Sequence, residues 1–155
     1  MKLSPNFSLE EFLRSDVAAR MGIDMTPTPE IIANLALLCE DLLEPIRAEA
    51  KVGLRISSGY RPVKLNRAVG GAKLSDHIDG LAADIVPLDG MTPFQLCQLV
   101  EKMAPSLPTL KKVIFEFGAW AHISHRSKGD GPPLFLTAYH RPSGTVYELG
   151  LRQDA

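Results

Sequence analysis

Helical and strand patterns occupy different parts of this chain, and that separation is the strongest restriction on its fold. Ser8-Leu9-Glu10-Glu11 is a capping box, so a helix is expected from Ser8 toward Arg20, stopped by Gly22. Thr26-Pro27-Thr28-Pro29 is a stiff connector, after which Thr28 caps a longer helix with Pro29 at its first position. Ile31, Leu35, Leu38, Leu42 and Ile46 recur at helical spacing as its buried stripe, which runs out near Ala50. Strand patterns dominate afterwards. Leu54 to Ser58 and Ala82 to Val86 are strand candidates, and Val113 to Phe117 with Trp120 to Ser124 read as a hairpin closed around Gly118. Leu134 to Tyr139 and Thr145 to Leu149 are two more, joined by a turn at Pro142-Ser143-Gly144. A later helix starts at Thr92-Pro93-Phe94-Gln95 and sets Phe94, Cys97, Val100 and Met103 along one face. This order predicts an α+β fold, with N-terminal helices packed on a mostly antiparallel sheet. A length of 155 residues, 45% of them hydrophobic, suits one domain over 1–155 with a real core.

Gly59 to Gly80 interrupts the order with Gly, Pro, Asn, Ser and charge in no steady period. A structureless stretch of that length in a compact domain is usually functional. His77 sits at its end. Asp84 follows inside a strand of Ala82, Ala83, Ile85 and Val86, where a carboxylate is costly unless it is paired or bound to metal. His122 comes from a distant strand. Two neutral imidazoles and a carboxylate, with a position left open for water, make a catalytic zinc site. Gly80, Ala82 and Ala83 are small enough to let backbone and ion come close. The competing readings are a salt bridge from Asp84 to an Arg or Lys, and a core histidine with one hydrogen bond at His122.

A net charge of −1 carries no basic excess, which argues against nucleic acid as a partner. The opening Met1-Lys2-Leu3-Ser4-Pro5-Asn6 lacks the apolar stretch of a signal peptide, and no segment is long enough to span a membrane. A monomer that folds in the cytoplasm is expected, released by another protein if its substrate lies outside. Cys39 and Cys97 each fall in a helical apolar pattern and read as two buried thiols.

Three stretches together match a known pattern: Ser58-Gly59-Tyr60-Arg61, then Ser75-x-His77-x-x-Gly80-x-Ala82-x-Asp84, then Trp120-x-His122. The chain resembles the M15 zinc peptidases, the D-alanyl-D-alanine carboxypeptidases and phage endolysin L-alanyl-D-glutamate endopeptidases. It looks most like the compact phage and prophage branch, where a Ser-Leu-Glu-Glu-Phe helix like that at Ser8 to Phe12 opens the chain. The resemblance covers nearly the whole sequence. It implies the α+β fold shared with hedgehog-type domains, one zinc ion on His77, Asp84 and His122, and a peptidoglycan stem peptide as substrate. It also implies that Arg61 grips a substrate carboxylate through paired hydrogen bonds, the alternative being an ion pair with a nearby acid. Tyr60 and Ser75 line the cleft or fix the loop. Trp120 alternates onto the His122 face and either walls the site or packs as core.

One position departs from the family. Many members carry the catalytic acid three residues before the last histidine, and here that residue is Ala119. The nearest acid is Glu116. A three- or five-residue loop centred on Ala119 would set Glu116 opposite His122, on the same face of the ribbon. A two-residue loop would set Phe115 there and turn Glu116 away, as a surface carboxylate on an edge strand. Glu116 is assigned the base; His125 would point to the opposite face of a regular strand. The expected reaction is metal-assisted hydrolysis of an amide bond. Two rivals stand beside it: a non-catalytic zinc or peptide-binding module, and a structural phage component that keeps only the fold.

Overall fold

The computed structural model describes residues 1–127 and 131–155. A small antiparallel pair, β1 (Lys2–Ser4) and β2 (Phe7–Ser8), leads into α1 (Leu9–Leu13) and α2 (Asp16–Met21). The helix expected from Ser8 toward Arg20 is therefore two helices. Ser15 breaks it: its Oγ accepts the Ala18 N–H at 3.1 Å and caps α2, a start signal that competes with helix continuation. Gly22, at φ 64°, ends α2 as expected.

The long helix forms as α3 (Pro29–Leu38), a π turn at Cys39–Leu43 and α4 (Glu44–Ala50), with Thr28 capping the start through Ile31 N–H. Its stripe residues are almost fully buried. With α6 (Pro93–Met103) it covers one face of a six-stranded sheet. The strands are β3 (Leu54–Ser58), β4 (Ala82–Pro87), β5 (Leu110–Glu116), β6 (Trp120–His125), β7 (Leu134–Arg141) and β8 (Gly144–Leu149). They lie in the order β3-β4-β6-β5-β7-β8, antiparallel except between β5 and β7. The fold is α+β with a mostly antiparallel sheet.

The stretch 59–80 is not structureless. It holds a short helix, α5 (Val63–Ala68), and a 3₁₀ turn at Asp76–Asp79. The buried side chain of Asn66 organises it, donating from Nδ2 to the Ala72 carbonyl at 2.8 Å. Such a side-chain-to-backbone bond leaves no periodic trace in a sequence.

Strand alternation sorts the two faces of the sheet. Ala83, Ile85, Val113, Phe115, Ala121 and Ile123 point into the core beneath the helices. Asp84, Ile114, Glu116, Trp120 and His122 occupy the alternate positions and line a cleft of about 810 Å³ on the other face. Cys39 and Cys97 are fully buried, and burial pushes each thiol up to about 12.

Candidate active site

Direct pairing of Asp84 on β4 with His122 on β6 brings two of the three candidate ligands together. His77 arrives from the 3₁₀ turn, where the Ser75 hydroxyl accepts the His77 N–H at 3.2 Å and fixes the turn's start. The same seryl residue lines the cleft. The Gly59 carbonyl lies 2.7 Å from His77 Nδ1. A carbonyl only accepts, so Nδ1 carries the proton and Nε2 keeps its lone pair. Gly59 can approach this closely because it has no side chain; a Cβ there would meet the Phe12 backbone at 2.7 Å.

His77 Nε2 then faces Asp84 Oδ1 at 3.2 Å, and His122 Nδ1 faces the same oxygen at 3.1 Å. One ligand atom from each of the three residues lies within 4.8 Å of the others. All three residues are buried. A lone pair on nitrogen confronting a carboxylate oxygen at 3.2 Å needs a cation between them, either a second proton on the ring or a metal ion. Two imidazole nitrogens and one carboxylate oxygen are the donors zinc favours, so the residues fit the group. With a second proton on the rings in place of a metal, burial would still raise the Asp84 carboxyl, but the charge of His77 and the hydrogen bonds from both rings outweigh it and hold Asp84 well below the usual carboxylate range.

Arg61 supports the outer side of this group. Its Nη2 donates to Asp84 Oδ2 at 3.2 Å, its Nε to Ser58 Oγ at 3.0 Å and its Nη1 to Asn66 Oδ1 at 3.2 Å. The ion pair weighed as an alternative for Arg61 and for Asp84 is thus present, between these two residues. It leaves Asp84 Oδ1 facing the imidazoles.

Glu116 corrects one detail of the hairpin reading. The loop is Phe117-Gly118-Ala119, centred on Gly118, with φ of 58° at Phe117 and 69° at Gly118 and a hydrogen bond from Ala119 N–H to the Glu116 carbonyl at 2.9 Å. That is the primed turn geometry favoured in hairpins. It sets Glu116 opposite Trp120, and Ile114 opposite His122. Glu116 nonetheless shares the His122 face, and its Oε1 reaches His122 Nδ1 at 3.4 Å. Burial chiefly, and the neighbouring Asp84 charge second, push the Glu116 carboxyl up to about 6; His122, Arg61 and the Trp120 indole pull the other way. Ala119 is exposed in the turn.

The other expected residues fall as follows. Trp120 lines the cleft on the His122 face and meets Phe117 edge to face, 5.6 Å between centroids. Tyr60 lines the cleft while packing against the core. His125 faces away from the site: Asp41 on the π turn binds its Nε2 at 2.7 Å, and the Ser127 N–H donates to its Nδ1. Sequence reasoning missed Lys112, His140 and Tyr147, all on the cleft. Strand alternation from Glu116 would have found Lys112. His140 and Tyr147 depend on how β7 and β8 join the sheet.

A buried His-Asp-His group that could hold a metal, with a carboxylate beside it at the floor of a cleft, is the donor set a metal-dependent hydrolase uses. A family model described as Peptidase M15 matches residues 5–124, and the chain belongs to this family of metallopeptidases. No curated relative matches it. The matched span ends within β6, so β7 and β8 lie beyond it.

Proposed function

We propose that this chain is a zinc peptidase that hydrolyses an amide bond in the peptide stem of bacterial peptidoglycan, of endolysin or D,D-carboxypeptidase type. The observation that carries this reading is the convergence of His77 Nε2, Asp84 Oδ1 and His122 Nδ1, with Glu116 Oε1 3.4 Å from the last. His77, Asp84 and His122 would hold the ion, which when bound supplies a Lewis acid for water and the scissile carbonyl. Glu116 is the base. Its carboxylate accepts the proton of the attacking water and passes it to the leaving amine nitrogen as the C–N bond breaks. Arg61 holds Asp84 in place and lines the cleft, and its two N–H groups left over from its three hydrogen bonds are donors for a substrate carboxylate or carbonyl.

Mass spectrometry of muropeptides after digestion of purified wall tests the reading. Release of defined stem fragments that stops with chelator and returns with zinc supports it and identifies the bond. A zinc-loaded protein that cuts no wall peptide sinks it, and the non-catalytic module, or a structural phage component, takes its place.

A further inference from the structure

Two cations on the cleft enter no ion pair among the described residues, Arg14 and Lys112. Arg14 is exposed at the junction of α1 and α2, whereas Lys112 is half-buried on the sheet that floors the cleft. The acid on the neighbouring wall, Asp76, gives both its oxygens to Lys111, at 2.7 and 2.9 Å. Arg61 already makes three hydrogen bonds within the protein. Among the described residues, Lys112 is therefore the uncommitted positive charge on the cleft floor.

Its place in the register gives it a use. β5 presents Lys112, Ile114 and Glu116 to the cleft in turn, and Ile114 pairs with His122. Lys112 thus lies on one side of the row that carries Asp84 and His122, and Glu116 lies on the other. A carboxylate entering the cleft is drawn to the Lys112 side and repelled from the Glu116 side, so the pair sets which way a charged peptide crosses the ligand row. Two strand residues cover about 6.6 Å. An extended peptide advances about 3.3–3.6 Å per residue.

We propose that Lys112 is a substrate-anchoring residue, whose ammonium binds a free carboxylate of the peptide about two residues from the scissile bond. The inference rests on the peptidase reading above. Two sources share that chemistry, a C-terminal carboxylate and a carboxylate borne within the peptide.

The test compares wild type, Lys112→Met and Lys112→Arg on a stem peptide in three forms: unmodified, C-terminally amidated, and amidated at the internal carboxylate. Zinc content and melting temperature are recorded for each variant. On the unmodified peptide Lys112→Met should raise KM about ten-fold or more with kcat little changed, and Lys112→Arg should restore most of it. Amidating the anchored carboxylate should raise the wild-type KM by a similar factor and abolish the difference between wild type and Lys112→Met. The amide that does so identifies the source. A wild-type KM indifferent to both amides overturns the inference without recourse to any variant, as does a Lys112→Met defect undiminished on both. Wild type that cleaves none of the peptides refutes the peptidase reading itself.

Discussion

The Oε1 of Glu116 and the Nδ1 of His122 lie 3.4 Å apart on a diagonal of the β5–β6 ribbon. A carboxylate that near the nitrogen of a proposed metal ligand could exchange a proton with water at the same centre, which is what a general base requires. Glu116→Gln keeps the size and removes the proposed base. It should leave zinc bound and lower kcat by about 10²–10⁴-fold. The base works only when ionised, so kcat/KM of wild type should rise with pH up to about 6, where burial places the Glu116 carboxyl, or somewhat lower because a bound cation favours the charged form. The variant should lose that limb. Near wild-type turnover in Glu116→Gln would mean that another group takes the proton.

Metal removal reverses the worth of that carboxylate. In chelator-stripped protein, burial pushes the folded Glu116 carboxyl up to about 6 from its ordinary value of 4.5. Its folded pKa is raised, so the native state binds the extra proton. Below about 4.5 both states are protonated and no penalty arises; above about 6 the buried charge destabilises the fold by about 2 kcal/mol. Stripped Glu116→Gln should therefore melt higher than stripped wild type at pH 7, and the gap should close by pH 4. Equal melting temperatures at pH 7 would show that Glu116 carries no buried-charge penalty.

Zinc should bind with a stoichiometry near one and raise the melting temperature, since it binds only the assembled site. His77→Ala, Asp84→Asn and His122→Ala should each lose both effects, because the three donors lie on separate elements and none substitutes for another. Elemental analysis and thermal melts with added zinc read this directly. Full occupancy in both histidine variants contradicts the ligand assignment.

Arg61→Ala should affect the fold as well as the substrate. It deprives Asp84 Oδ2, Ser58 Oγ and Asn66 Oδ1 of a charged donor. A hydrogen bond to a charged group contributes about 1.5–3 kcal/mol, so a stability loss of that order is expected. Zinc affinity should fall about 10–100-fold, the usual effect of removing a group that orients a ligand. Lys cannot reproduce the guanidinium fork, so Arg61→Lys should recover only part. Unchanged melting and unchanged zinc affinity, with KM alone raised, would assign Arg61 to substrate.

Much of the site was legible along the chain because its signals are local. Asp84 stands out as a charge in an apolar strand, and the cost of burying it unpaired marks it wherever the strand packs. The Thr28 and Thr92 caps and the helical stripes are likewise local, and the helices and strands they announce are present. Ser15 shows the limit even here: it splits a helix whose apolar pattern continues past it, because a side-chain cap and helix continuation compete for the same backbone donors.

The sequence by itself determined the fold class, the elements that carry the donors, and the residues His77, Asp84 and His122 as a group able to hold a metal. Only the tertiary structure decided how those residues are supported and faced. It joined Arg61 to Asp84, set the Gly59 carbonyl against His77, made Glu116 a diagonal neighbour of His122, and put Lys112 on the other side of the Asp84–His122 row from it. The reason is physical. Periodicity and caps follow from the chain's own backbone, whereas a partner's identity depends on strand register and loop path. A shift of one residue turns every side chain of a strand to the other face.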